Sequence, residues 1–227
     1  MRSPSIDRAI ALVPRSLLLL RLSGRCSCSV ILLSTSVSRP VWIVSTMASQ
    51  RDLDDALLQA SREGRLDEIE SLLDRHANVG AVDTSNSPLH WASINGHHQC
   101  IELLLDRHAN VNAVDYDNNT PLHLASRNGH DRCVELLLDR HANINALGCN
   151  AASSLLWASC NGRHQCVELL LDRHADINAV DDEGDTPLHW VSIYGHYQCI
   201  EILIDHGADK SITNVRHPPS ISPNPMS

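Results

Sequence analysis

Thirty-three residues separate the starts of four near-identical segments, and that period decides what the chain can become. SPLHWASINGHHQCIELLLDRHANVNAVD begins at Ser87, TPLHLASRNGHDRCVELLLDRHANINALG at Thr120, SSLLWASCNGRHQCVELLLDRHADINAVD at Ser153 and TPLHWVSIYGHYQCIEILIDHGADKSITN at Thr186. An earlier unit, ALLQASREGRLDEIESLLDRHANVGAVD from Ala56, matches from Ala60 onward. Its linker is one residue shorter, since Asn78 to Pro88 is 10 steps where Asn110 to Pro121 is 11. Self-similarity of this kind marks a solenoid, in which each unit buries its apolar face only against its neighbours.

Within a unit, each repeated residue has a local task. Thr120 is placed to cap the start of a first helix, and Pro121 follows where a missing N–H costs nothing. Leu122 and Ala125 are three apart and share the face that meets a second helix. Gly129 ends the first helix, where a left-handed residue is wanted. Val134, Leu137 and Leu138 make the i, i+3, i+4 stripe of the second helix. Asp115–Asn119 supplies turn residues at a hairpin tip. The earliest unit begins Asp52, Asp54, Asp55, with Gln59, Arg62 and Glu63 outward, the polarity of a terminal cap. The last runs into Lys210–Asn214, the start of a sixth hairpin.

The T-P-L-H-x-A motif at this period resembles the ankyrin-repeat family over about residues 51–214. The resemblance implies an all-α solenoid with short β-hairpins: five stacked repeats, about 51–83, 84–116, 117–149, 150–182 and 183–214. It also implies a non-catalytic protein–protein interaction module (adaptor, scaffold or inhibitor) that binds another protein on its concave face, built from hairpin tips and first-helix ends. The positions that vary there are Thr84 and Ser85; Ile94 and Asn95; Tyr116, Asp117, Asn119, Arg127 and Asn128; Cys149, Asn150, Cys160 and Asn161; and Asp182, Glu183, Asp185, Ile193 and Tyr194. Tyr116, Ile94, Ile193 and Tyr194 are the apolar anchors among them. The same resemblance implies a second reading, that of a modification substrate or a regulatory subunit of a larger complex. Asn112, Asn145 and Asn178 occupy the hairpin position that asparaginyl hydroxylases modify in some ankyrin proteins.

Composition fits small repeated cores: there is no Phe, aromatic residues are 3%, and 43% of residues are hydrophobic, too many for a disordered chain. Residues 1–46 carry six Arg against the single Asp7, while the whole chain is −9, which leaves −14 on the rest. An acidic body argues against nucleic acid as partner and suits a soluble monomer. No run reaches the roughly 18 apolar residues that span a bilayer. Cys100, Cys133, Cys166 and Cys199 fall 33 apart. Stacked elements lie about 8–10 Å apart, beyond the roughly 7 Å a disulfide allows, so these read as buried thiols in a reducing compartment, not as bridges or zinc ligands. The His residues lie in parallel columns, so no metal and no cofactor is expected. Nucleophile, phosphate-loop and metalloprotease motifs are absent. Cys160 with His164 poses as a thiol–imidazole pair, but no other unit has it, and no enzyme is expected.

The departures from the pattern are local. His76, His108, His141 and His174 stand where Gly207 stands in the last unit and where the family usually has Gly. With Arg75, Arg107, Arg140 and Arg173 they form a column, read either as partners of Asp74, Asp106, Asp139 and Asp172 or as a stripe for an acidic partner. His90, His123 and His189 belong to T-P-L-H, where the family uses His to bond into the neighbouring hairpin. Trp91, Trp157 and Trp190 recur where Leu124 keeps Leu, and read as packing between repeats. The fourth unit is degraded at Gly148, Ala151, Ser153, Ser154 and Leu156, by drift or as a contact patch. Residues 1–46 are an Arg/Ser-rich extension, read as disordered, as a mitochondrial transit-like segment or as a secretory signal, with initiation at Met47 as an alternative. Residues 47–214 form the repeat domain and 215–227 a Pro/Ser-rich disordered tail. The expected location is cytoplasmic or nuclear, with mitochondrial targeting the alternative.

Overall fold

A computed structural model of the chain describes residues 49–213 and, before them, the backbone of two short strands, β1 (Cys28–Ile31) and β2 (Ile43–Thr46). The strands pair antiparallel, Cys28 opposite Thr46 and Ile31 opposite Ile43. Contacts divide the chain into two units, Met1–Asp52 and Leu53–Ser227. These strands apart, the readings of residues 1–46, of Met47 as a start and of the tail lie outside the described residues.

The repeat region forms α-helices in five consecutive pairs: α1 (Gln50–Glu63) with α2 (Leu66–Asp74), α3 (Pro88–Ile94) with α4 (His98–Asp106), α5 (Pro121–Asn128) with α6 (Asp131–Asp139), α7 (Ser154–Cys160) with α8 (His164–Asp172), and α9 (Pro187–Tyr194) with α10 (Tyr197–Asp205). The first helices α3, α5, α7 and α9 pack in one row, and the second helices α2, α4, α6, α8 and α10 in another. One apolar core runs between the rows, from Leu57 to Leu203. Leu122, Ala125, Val134 and Leu137 are fully buried in it, as the periodicity requires. Leu138 is only half-buried, and Cys133 takes the remaining place in the buried stripe.

The caps explain why such short helices hold. Ser87, Thr120 and Thr186 are N-caps with extended backbone, each followed by Pro. Three residues on, a His closes the box: His90 Nδ1 accepts from the Ser87 N–H at 3.2 Å, His123 Nδ1 from Thr120 at 3.1 Å, and His189 Nδ1 from Thr186 at 3.1 Å. An accepting Nδ1 leaves the proton on Nε2, which donates to the next loop: His90 to the Asn119 carbonyl at 3.2 Å, His123 to Ala146 at 3.0 Å. At the start of α1, Ser49 and Asp52 form a reciprocal box of their own, each backbone N–H donating to the other's side chain. After the second helices, His76, His108, His141 and His174 adopt φ of 63–67° where Gly207 has 87°. For a residue with a Cβ, that conformation costs roughly 1–2 kcal/mol.

The hairpins expected between repeats are turns: among residues 49–213 there is no β-strand. A backbone bond joins the two sides of each loop, Asp83 N–H to Asn86 O, Asp115 to Asn119, Gly148 to Ala152 and Asp181 to Asp185, at 3.0–3.2 Å, and turn bonds from Asn118 to Asp115, Ala152 to Cys149 and Gly184 to Asp181 lie inside three of them. A ladder would need further pairs. In three loops an Asp carboxylate accepts the competing N–H groups instead: Asp83 from Ser85 and Asn86, Asp115 from Asp117 and Asn119, and Asp181 from Glu183 and Asp185.

Candidate partner-binding surface

The expected contact residues separate into those that face solvent and those the scaffold uses. Tyr116 stands 89% exposed at the tip of its loop, with Asp117 exposed beside it. Asp182, Glu183 and Thr84 are exposed on their own loops, and Ser85 is half-buried. Asp185 is fully buried and belongs to the loop's interior. Ile193 and Tyr194 are 43% and 55% exposed at the end of α9, while Ile94 is half-buried at the end of α3.

Asn119 corrects the sequence reading. It is 6% exposed; its amide donates to Asp115 and its Oδ1 accepts the Cys149 N–H of the next loop at 3.2 Å. It is a staple between repeats, buried away from a partner. Asn95, Asn128 and Asn161 turn back on their own helices, each Nδ2 donating to the carbonyl four residues earlier at 2.8–2.9 Å. Cys149 is half-buried and Asn150 exposed at φ 57°, its carbonyl accepting from Asp182 N–H at 3.1 Å. The degraded fourth unit keeps its cap, since Ser153 Oγ accepts from Leu156 N–H at 3.2 Å. Its loop makes a short 3₁₀ turn, Cys149–Ala151. Leu156, where His stands in three of the other repeats, is buried and has no Nε2–H to send to the next loop.

The tryptophans link loops to first helices. Trp91 Nε1 donates to Asp83 and Trp190 Nε1 to Asp181, both at 2.8 Å. The Arg62 guanidinium lies 4.5 Å from the Trp91 ring centroid and that of Arg127 4.7 Å from Trp157. Trp190 stacks on Tyr194 at 5.7 Å, and Tyr194 on His196 at 6.1 Å. Arg127 and Tyr194 are therefore both exposed and held in place. Burial pushes the Asp83 carboxyl up, but the Ser85 and Asn86 N–H groups and the Trp91 indole outweigh it and hold the group below its ordinary value.

The arginine column is a ladder between repeats. Arg107 pairs with Asp74 at 2.9 Å, Arg140 with Asp106 at 2.8 Å and Arg173 with Asp139 at 2.8 Å. His206 continues it to Asp172 at 3.4 Å. Arg75 has no earlier rung; it is exposed and meets no acid among the described residues. As a stripe for an acidic partner, three of the four arginines are already compensated. Asn112, Asn145 and Asn178 form a second ladder, each Oδ1 accepting the N–H of Asn143, Asp176 and Asp209 in the next repeat at 2.8–3.0 Å.

Burial raises the thiols of the Cys column, to about 12 at Cys133 and Cys166 and about 11 at Cys199. Burial also raises Cys160, outweighing a hydrogen bond from Tyr194 and the charge of Arg127, so it is no ready thiolate at neutral pH. No group of three or more metal-binding side chains occurs among the described residues. No helix among them is long and apolar enough to cross a membrane.

The family described as ankyrin repeats, three copies, matches residues 57–148 and again residues 141–214. The chain belongs to the ankyrin-repeat family. Ankyrin repeats are generally protein–protein interaction modules and typically non-catalytic. Comparison with curated proteins returns no match. One feature of this ankyrin array escaped the sequence reading. Val82, Val114, Leu147 and Val180 are all exposed, at 65%, 53%, 52% and 47%. The period itself was the available signal, because the four share one position of the repeat.

Proposed function

We propose that the chain is a protein-recognition module whose partner sits on the loops and first-helix ends of the array. One observation carries this: between nearly identical repeats, the side chains that differ and stay exposed cluster there, above all Tyr116, Ile193 and Tyr194. Most of the residues that recur are buried or tie one repeat to the next, the exposed row of Val82, Val114, Leu147 and Val180 apart. Loops on a rigid scaffold are where recognition residues collect, and aromatic side chains held by their neighbours carry much of the binding energy in protein interfaces.

Affinity capture with the full chain tests it. Proteins retained by the natural sequence are quantified against those retained by the Ile193→Ala/Tyr194→Ala double variant. Roughly tenfold or greater loss of the main captured protein is expected, about 1.4 kcal/mol or more, with the helical circular dichroism signal retained. Equal capture by both proteins contradicts the proposal.

A further inference from the structure

The exposed row Val82, Val114, Leu147 and Val180 is presented by one repeated turn. Ala81, Ala113, Ala146 and Ala179 N–H each donate to the carbonyl three residues earlier, at Asn78, Asn110, Asn143 and Asp176. Those same four side chains accept the N–H of Gly80, Asn112, Asn145 and Asn178 at 3.0–3.2 Å. The residue after each Ala therefore leaves its loop in an equivalent direction, and the four make a file, one per repeat. The loops, residues 79–87, 111–120, 144–153 and 177–186, hold seven Asp and Glu and no Lys, Arg or His; none of the seven is in the loop of Leu147 and Asp185 is buried, so the exposed charges beside Val82, Val114 and Val180 within these loops are all negative. Exposed apolar rows rimmed by polar groups mark interaction sites.

Spacing selects what can lie along such a file. Packed helices stand about 8–10 Å apart. A polyproline-II segment has three residues per turn and rises about 3.1 Å each, so one of its faces recurs about every 9 Å. A β-strand returns to the same face after about 6.7 Å and an α-helix turns every 5.4 Å or so, and both fall out of step with the repeats.

We propose that this loop edge docks an extended, polyproline-II-like segment of a partner protein, with an apolar residue at every third position and Lys or Arg between. The inference rests on the array being a protein-recognition module and supplies the partner's chemistry. Apolar side chains meet the file while the cations face Asp83, Asp117, Asp182 and Glu183. A preformed polyproline-II segment loses little conformational freedom on docking. A second copy of this chain is a poor occupant, because its own edge carries the same negative charge.

Two synthetic peptides of about twelve residues, the length of four polyproline turns, test it on the full chain by fluorescence anisotropy. Both have the same Leu, Pro and Arg content; one has Leu at every third position and the other has its Leu residues contiguous. The periodic peptide is expected to bind roughly tenfold or more tighter, and its affinity to fall several-fold between about 0.05 and 0.3 M salt. Val114→Lys with Val180→Lys should weaken it by roughly tenfold while the thermal midpoint holds, because both side chains are exposed. Equal binding of the two peptides, or indifference to the two lysines, overturns the proposal. So does concentration-dependent self-association of the chain that the same lysines abolish, which would assign the edge to a second copy. If the peptides fail while the captured partner still depends on Ile193 and Tyr194, the edge proposal falls and the module reading stands. Loss of both dependences removes both.

Discussion

Glycine closes the first helix of every repeat, and what lies over it differs along the array. At Gly162, φ is +64°, and an added Cβ would sit 2.6 Å from the His196 ring. That ring is pinned by its Nε2 to the Cys160 carbonyl at 3.1 Å. Gly195 has nearly the same backbone, φ +70°, with nothing within 4 Å of its would-be Cβ. Both glycines satisfy the left-handed requirement read from the sequence, but only the structure shows that Gly162 is also a seat for the next repeat. Gly195→Ala should therefore cost the left-handed strain alone, roughly 1–2 kcal/mol. Gly162→Ala should cost that and at least about 1 kcal/mol more, because a ring must move. Urea unfolding of the two variants measures the difference, and equal losses would show that His196 does not rest on Gly162.

At the scale of the element, the His-closed N-cap ties helix formation to protonation. Burial pushes the imidazolium forms of His90 and His123 below their ordinary value, against carbonyl acceptors that favour the charge. In the unfolded chain these rings take a proton near pH 6.5. Below that pH the unfolded state binds more protons than the folded one, so the stabilisation is complete above about 6.5 and is lost as pH falls. His206 acts in the opposite sense: the Ile202 carbonyl and then Asp172 hold its pKa up, so its contribution fades as pH rises through that value. It is exposed enough that its share is small. The thermal midpoint should fall between about pH 7.5 and pH 5.5, and His123→Leu, which copies the Leu156 of repeat 4, should flatten that fall. An undiminished slope in His123→Leu would place the pH dependence elsewhere. The cap was legible in the sequence because its parts lie within three residues. The hairpin strands were not to be had, because a carboxylate such as Asp115 takes the N–H groups a ladder would need.

At the scale of the molecule, the array is held by contacts reaching across one repeat: the buried core, the Arg–Asp ladder, the Asn–backbone ladder and the His Nε2 bonds to carbonyls of the neighbouring repeat. The 33-residue period made the helices, their order and the core readable, since those depend on local pattern and on stacking like on like. It could not say which variable side chains tie one repeat to the next, because that depends on a neighbour about 30 residues away. The pattern therefore places Asn119 among the contact residues although it staples two loops, and gives Val114 no such place although it faces solvent. In the proposed mode of recognition the loops and first-helix ends receive the partner, while the second-helix row supports them. Hydrogen exchange of the full chain, alone and with its captured partner, tests this most directly. Slowed exchange is expected at residues 111–120 and 177–186 and at the end of α9, with α4, α6 and α8 unchanged on their outer faces. Protection confined to α4, α6 and α8 would contradict it.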